Sequence, residues 1–280
     1  MAGKKIAVLS GKGGTGKTLV AVNLAAAAKN SCYVDCDVEA PDGKLFFRPE
    51  IAETKEVCVL VPRIDLSECT ACKVCVEFCR FHALAFGKKP VVFDEVCHSC
   101  GGCALVCPQK AIKETARIVG MIEKGVSEGV QTFCGSMNMG EATGVSVIRQ
   151  LMDSVKNETR LTVIDCPPGS ACSVMESIRE ADYCVLVAEP TVFGAHNLAM
   201  VYELALLFKK PCGVVLNKCG DGNNPSREFC LQNGIGILAE IPFDSALGKL
   251  NSEGKIAVRV DYPKKELFFA LLARVREAAE

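Results

Sequence analysis

Gly11-Lys12-Gly13-Gly14-Thr15-Gly16-Lys17-Thr18 is the stretch that decides the fold. It fits G-x-x-x-x-G-K-[ST], and its surroundings suit that pattern. Residues 4–10, carrying Ile6-Ala7-Val8-Leu9, read as a short buried strand, and residues 18–29, rich in Ala and Leu, read as a helix. Glycines between a strand and a helix let the backbone turn tightly and aim N–H groups at phosphate oxygens. The helix N-terminus adds the positive end of its dipole. Lys17 is placed to reach β- and γ-phosphates, and the Thr18 hydroxyl to ligate Mg²⁺.

Working outward, residues 32–35 read as a second strand, which completes a βαβ opening. The alternation resumes later. Strands are predicted at 161–164, 184–188, 213–216 and 235–239, with helices at 143–155, 172–180, 195–208, 226–232 and 264–279. The fold class is therefore α/β, a parallel sheet with helices on both faces. Each late strand runs into a polar or Pro/Gly cluster: Asp165-Cys-Pro-Pro-Gly, Glu189-Pro-Thr, Asn217-Lys-Cys-Gly and Ile241-Pro-Phe-Asp. Open α/β sheets bind ligands beyond the carboxyl ends of their strands, so these clusters form the expected rim of a site.

Composition narrows the function classes. The 280 residues are 49% hydrophobic and 23% charged, as in a globular chain with a substantial core. A formal net charge of −1 gives no support to nucleic acid or an anionic membrane as a bulk partner. Met-Ala-Gly-Lys-Lys leads straight into the first strand, too short for a signal sequence, and no apolar run spans a bilayer. A cytoplasmic location is expected, with no stable membrane anchor, and most of the 18 cysteines reduced or metal-bound. Three histidines leave little room for a His-based metal centre or triad.

Between about 65 and 115 the strand–helix rhythm stops and cysteines crowd. Cys69-x2-Cys72-x2-Cys75-x3-Cys79 is followed by Cys97-x2-Cys100-x2-Cys103-x3-Cys107-Pro108, an internal repeat offset by 28 residues. The stretch reads as an inserted module of roughly 50 residues, a size at which metal replaces an adequate core. Zinc binds C-x2-C pairs, but two zinc sites need no third and fourth cysteine at this spacing. A disulfide framework suits export, not this chain. Of the other ten cysteines, most sit in apolar runs and read as small hydrophobes. Cys134, in Phe133-Cys134-Gly135-Ser136, is the one expected to face an interface or partner.

The second lysine in the phosphate loop carries a resemblance. Lys12-Gly13-Gly14-Thr15-Gly16-Lys17-Thr18 resembles the deviant Walker A loop of the MinD/ParA/Mrp family of ATPases, which includes the nitrogenase iron protein. In that family the extra lysine, here Lys12, reaches the nucleotide of a partner subunit. The resemblance implies an ATP-dependent homodimer. Val34-Asp35-Cys36-Asp37 is similar to its switch I, where Asp37 would orient the attacking water or act as base. Val163-Ile164-Asp165-Cys166-Pro167-Pro168-Gly169 is similar to Walker B and switch II, with Asp165 in the Mg²⁺ shell and the Gly169 N–H sensing the γ-phosphate. Asn217-Lys218 and the loop 242–244, beginning at Pro242, resemble the segments beside adenine. Pro168 stands where the iron protein has its bridging cysteine, so no bridging cluster is implied, and the Cys-Pro-x-Cys of cluster carriers is absent.

The cysteine repeat resembles the bacterial two-cluster ferredoxin, departing from it where Arg80 replaces a proline. There the fourth cysteine of each run ligates the other cluster. The resemblance thus assigns Cys69, Cys72, Cys75 and Cys107 to one [4Fe–4S] cluster, and Cys97, Cys100, Cys103 and Cys79 to a second. The expected organisation is a P-loop ATPase of residues 1–62 and 116–280, interrupted by a ferredoxin-like α+β domain at 63–115. Three functions follow: an ATPase coupled to electron transfer, a cluster or metallocofactor assembly protein, or a positioning ATPase. ATP/ADP, Mg²⁺ and two clusters are the implied cofactors, and an unidentified redox or assembly protein the partner.

Overall fold

The structure, a computed structural model, describes residues 3–280. In chain order it contains β1 (Lys5–Leu9), α1 (Lys17–Ala27), β2 (Ser31–Asp35), α2 (Gly43–Phe47) and β3 (Glu50–Ile64). Then come α3 (Val74–Phe78), β4 (Leu84–Phe86), β5 (Pro90–Val92), α4 (Gly102–Leu105), β6 (Ile112–Ser127) and β7 (Val130–Met137). The remainder is α5 (Val145–Ser154), β8 (Leu161–Asp165), α6 (Cys172–Ile178), β9 (Tyr183–Ala188), α7 (Val192–Leu207), β10 (Cys212–Cys219), α8 (Pro225–Gln232), β11 (Ile237–Pro242), α9 (Ser245–Ser252) and α10 (Glu266–Ala278).

Nine strands form one sheet in the order β11-β10-β9-β1-β8-β2-β7-β6-β3. The central strands are apolar from end to end because both faces are covered. Val8, Tyr33, Val163 and Val185 pack toward α1 and α10 on one face. Ala7, Val34, Ile164 and Leu186 pack toward α5, α6 and α7 on the other. The helices on both faces are as expected from the sequence. α10 buries Phe268, Leu271, Leu272 and Val275, so the tail covers the sheet. Among the described residues no helix is long and apolar enough to cross a membrane.

The sheet is not wholly parallel. β11 to β7 run parallel, but β6 is antiparallel to β7, and β3 to β6. The cause is a hairpin-like ribbon: β3 and β6 pair from Glu50↔Val126 to Ile64↔Ile112. Only Gly120 to Ser127 of β6 also pairs with β7, and Gly120 lies opposite Met137 at the end of β7. Residues 57–64 and 112–119 therefore continue past the carboxyl edge of the sheet as a two-stranded arm, roughly 25 Å long.

Residues 65–111 close the tip of that arm, where Asp65 N–H donates to the Ala111 carbonyl at 2.8 Å. Their buried core is small: Leu84, Cys103 and Ile112, flanked by Cys75, Cys79 and Cys107. The sequence repeat is also a backbone repeat. Left-handed φ occurs at Ala71 and Ser99, at Lys73 and Gly101, and at His82 and Lys110, each pair 28 residues apart. α3 and α4 start at the same offset, at Val74 and Gly102. Outside glycine such a conformation costs about 1–2 kcal/mol per residue, so its recurrence marks a geometry the module is built to hold.

Candidate functional site

β1 ends at Leu9, beside β8 on one side and β9 on the other, and the phosphate loop turns from there into α1. Gly16, the N-cap of α1, has φ 97°, and a Cβ on it would lie 2.1 Å from the Asn217 side-chain nitrogen. Glycine here serves both the turn and the approach of Asn217, whose Nδ2 donates to the Thr15 carbonyl at 2.7 Å. The loop opens on a cavity of about 400 Å³. Gly13, Gly14, Gly16, Lys17, Thr18, Asp37, Asn217, Lys218 and Pro242 line it; Gly11, Lys12 and Thr15 do not.

Lys17 is buried and its ammonium bonds the Asp165 carboxylate, which lies 1% exposed beneath the cavity. Burial alone would lower the lysine's pKa, but Asp165, with Asp35 and Asp37 behind it, outweighs that and raises it. Asp37 reaches the cavity from the loop after β2. Burial, and then the nearby Asp165 charge, push its carboxyl up to about 6, against the pull of Lys17. Asp35 does not line the cavity: its two oxygens accept the main-chain N–H of Asp37 at 3.1 Å and of Gly43 at 2.7 Å, which fixes that loop. The Gly169 N–H, expected to sense phosphate, donates to the Ser10 carbonyl at 2.9 Å in this conformation.

Glu189, at the carboxyl end of β9, was legible only as part of the rim. Its carboxylate meets Lys12 Nζ and Lys218 Nζ at 2.6 Å each. Lys218 also donates to the Gly14 carbonyl at 2.8 Å. Partial burial would raise Glu189, but the two ammonium groups hold it below the usual range. Lys12 is thus turned away from the cavity and held by its own chain.

At the tip of the arm the eight repeat cysteines stand around two cavities. Cys69, Cys72, Cys75 and Cys107 line one with Ile64, Phe86 and Ile112. Cys79, Cys97, Cys100 and Cys103 line the other with Phe78, Phe81 and Leu84. The fourth cysteine of each run therefore stands with the first three of the other. The first cavity is narrow, about 20 Å³, and the second about 230 Å³, so the second is the roomier. Burial raises Cys75, Cys97 and Cys103, the last to about 11, and the neighbouring thiols of the same cavity add to it. Main-chain N–H groups work the other way, as at Ser99 N to Cys97 Sγ, 3.4 Å. Among the described residues no three His, Cys, Asp or Glu side chains are drawn together closely enough to hold a single metal ion. Cys134, expected at a surface, is instead 4% exposed in β7, packed against the α5 side of the sheet.

A family model described as the CobQ/CobB/MinD/ParA nucleotide binding domain matches residues 6–258. The chain belongs to this family. Among its relatives, the uncharacterized protein MJ0578 of Methanocaldococcus jannaschii is 30% identical over 251 residues, 88% of this chain and 87% of that one. An iron–sulfur cluster carrier protein of the same organism is 23% identical over 298 residues, 99% of this chain and 85% of that one. Of solved structures, the septum site-determining protein MinD of Pyrococcus horikoshii, complexed with Mg-ADP, superposes with a TM-score of 0.63 at 19% identity. It covers 99% of this chain and 97% of that one, a likeness of fold.

Proposed function

We propose that this protein is an ATPase that binds Mg·ATP at a homodimer interface and couples its hydrolysis to electron transfer through two [4Fe–4S] clusters. The observation that carries the reading is the pair of four-thiol cavities on an arm that leaves the carboxyl edge of the sheet, the edge that holds the phosphate loop. Nucleotide and clusters would then share one end of the molecule. We take residues 1–62 and 116–280 as the ATPase and 63–115 as the ferredoxin-like insert.

At the nucleotide, Gly13 to Thr18 would cradle the phosphates, with Lys17 leaving Asp165 to neutralise the β- and γ-oxygens. Thr18 and Asp165 would hold Mg²⁺, whose role is to offset the charge that develops on the transferred group. Asp37, raised to about 6, would order the attacking water and accept its proton. Asn217, Lys218 and Pro242 would contact the base. Lys12, released by Glu189, would reach the partner's phosphates.

At the tip, each cavity offers four thiols, an apolar lining and main-chain N–H groups turned to sulfur, which fits a cubane better than a compact zinc tetrahedron. Cys69, Cys72, Cys75 and Cys107 would hold one cluster, and Cys97, Cys100, Cys103 and Cys79 the other. Bound clusters supply one-electron chemistry whose potential depends on these N–H donors and on burial. The left-handed residues 71, 73, 99 and 101 would hold such N–H groups in place, as Ser99 does toward Cys97.

Anaerobic reconstitution should give about eight iron atoms per chain. Electron delivery from the reduced protein should then differ between ATP and ADP and lose that difference in Lys17→Ala. Identical delivery in all three would sink the reading. The likeness to an iron–sulfur cluster carrier favours a second reading, an assembly protein. Transfer of iron and sulfide to an apo-protein within minutes would support that reading instead. The positioning-ATPase reading needs a free amphipathic tail, and α10 is packed on the sheet.

A further inference from the structure

We propose that Tyr33 is a positioning residue whose hydroxyl fixes the Asp165 carboxylate for a divalent cation and whose ring ties that carboxylate to the end of the β3–β6 ribbon opposite the arm. The inference rests on the ATPase reading above and deepens it at one site. Tyr33 lies in β2 between Val163 of β8 and Thr132 of β7, with no exposed surface. A buried strand position facing α1 calls for packing alone, and Leu or Phe would supply it. A tyrosine there is accounted for by its hydroxyl, which must find a partner when buried. That partner is Asp165 Oδ2, at 2.9 Å.

Asp165 therefore has both oxygens engaged, Oδ1 by Lys17 and Oδ2 by Tyr33. The two partners differ in kind. Lys17 belongs to the phosphate loop and is the group that nucleotide would draw away. Tyr33 belongs to the sheet and cannot follow. When Lys17 leaves, Oδ1 turns free toward the cation while Oδ2 stays anchored.

The ring makes the second connection. Its centroid is 4.7 Å from that of Phe47, the last residue of α2 and three residues before β3 begins. The Phe47 carbonyl accepts from the Ser127 hydroxyl, and Ser127 ends β6. Arg259 donates to Ser127 O at 2.6 Å and stands 5.0 Å over the Phe47 ring. The ribbon of β3 and β6 is thus pinned at its end away from the arm, and Tyr33 touches that point. Gly43 closes the set: a Cβ there would fall 2.3 Å from the Tyr33 ring, so the loop bearing Asp37 is laid directly over it.

Tyr33→Phe removes one oxygen and keeps the ring. The test titrates Mg²⁺ into protein and a fluorescent ATP analogue, with a thermal melt to confirm folding. We expect nucleotide affinity without metal to match the native protein, and the Mg²⁺ midpoint to rise about tenfold, as for loss of a group orienting a metal's carboxylate. Superimposable Mg²⁺ titrations would overturn the proposal. A native protein that binds no nucleotide would overturn the ATPase reading instead. Should the variant not fold, the native chain labelled with 3-fluorotyrosine provides the answer. The sequence has four tyrosines, and phenylalanine at the other three assigns the Tyr33 signal. That signal should shift with Mg·ADP and not with ADP alone; a signal that ignores Mg²⁺ overturns the proposal. For the pinned end of the ribbon, hydrogen exchange at 47–50 and 126–128 should slow on Mg·nucleotide in the native protein and not in Tyr33→Phe. Equal slowing in both would refute the link.

Discussion

Asp37 is the residue at which pH should act. Burial and the Asp165 charge raise its carboxyl to about 6, and only its ionised form can accept a proton from water. As pH falls through about 6 the group becomes protonated, so kcat/KM for ATP should drop on the acid side with a midpoint near that value. Asp37→Asn should lose at least about a hundredfold in rate and show no such limb. A native profile flat from pH 5 to 8 would remove Asp37 from the role. Glu189 makes a separate claim at the same scale. It holds Lys12 and Lys218 at 2.6 Å each, and a lysine so held is not free to cross to a partner. Replacing the charge in Glu189→Gln should weaken both contacts by about 1 kcal/mol or less, given their partial exposure. The proposed ATP-dependent dimer should then form at several-fold lower protein concentration, read by sedimentation. An unchanged or higher concentration would show that Glu189 does not restrain Lys12.

At the scale of elements, the insert is a repeat whose halves trade their last cysteine. Cys79 stands with the 97–103 thiols and Cys107 with the 69–75 thiols. Cys79→Ala should therefore disturb the cluster of the second run and spare that of the first, with Cys107→Ala doing the reverse. Each variant should retain about half the iron, and EPR should show the two losing different signals. Loss of the same signal in both would argue against crossed ligation. That grouping of cysteines follows from spacing plus resemblance: each run of three is local, and the place of the fourth comes from the resemblance alone. The central strands were legible too, since burial on both faces leaves an unbroken apolar run such as Ile6-Ala7-Val8-Leu9. The arm was not. Residues 50–56 of β3 are exposed and charged, and their partners lie some 65 to 75 positions away on β6. Nothing local distinguishes such an edge ribbon from loop. The site was half legible for the same reason. The phosphate loop is contiguous, but Tyr33 and Asp165 are 132 positions apart, and Lys12 and Glu189 meet only because β1 and β9 are neighbours.

For the whole molecule the question is what the arm connects. Ile64 and Ile112 face each other across the ribbon, so residues 65–111 can be replaced by a tight Asn-Gly turn without altering register. The two cores and the nucleotide cavity draw nothing from the excised segment, which touches the remainder along the arm, where Arg63 grips both Asp94 oxygens at 2.6 Å, and at the loop 138–144. There Ala142 N–H donates to the Glu95 carbonyl at 3.2 Å. Arg117, gripping Glu141 at 2.6 and 2.7 Å, reaches the Asp94 carbonyl at 3.1 Å. Asp94 and Glu95 stand three and two residues before Cys97, so this loop couples the second thiol cavity to the body of the protein. The excised chain should fold, bind Mg·ATP within about threefold of the intact protein, and hold no iron, since the Arg117–Glu141 pair remains and each lost hydrogen bond is worth only about 1 kcal/mol. Nucleotide affinity measured by calorimetry decides the matter. If it is unchanged, the ATPase body is autonomous and any coupling runs through the arm root and the 138–144 loop. If it collapses while the fold persists, the insert completes the nucleotide site, and the two-module organisation proposed for the chain is wrong.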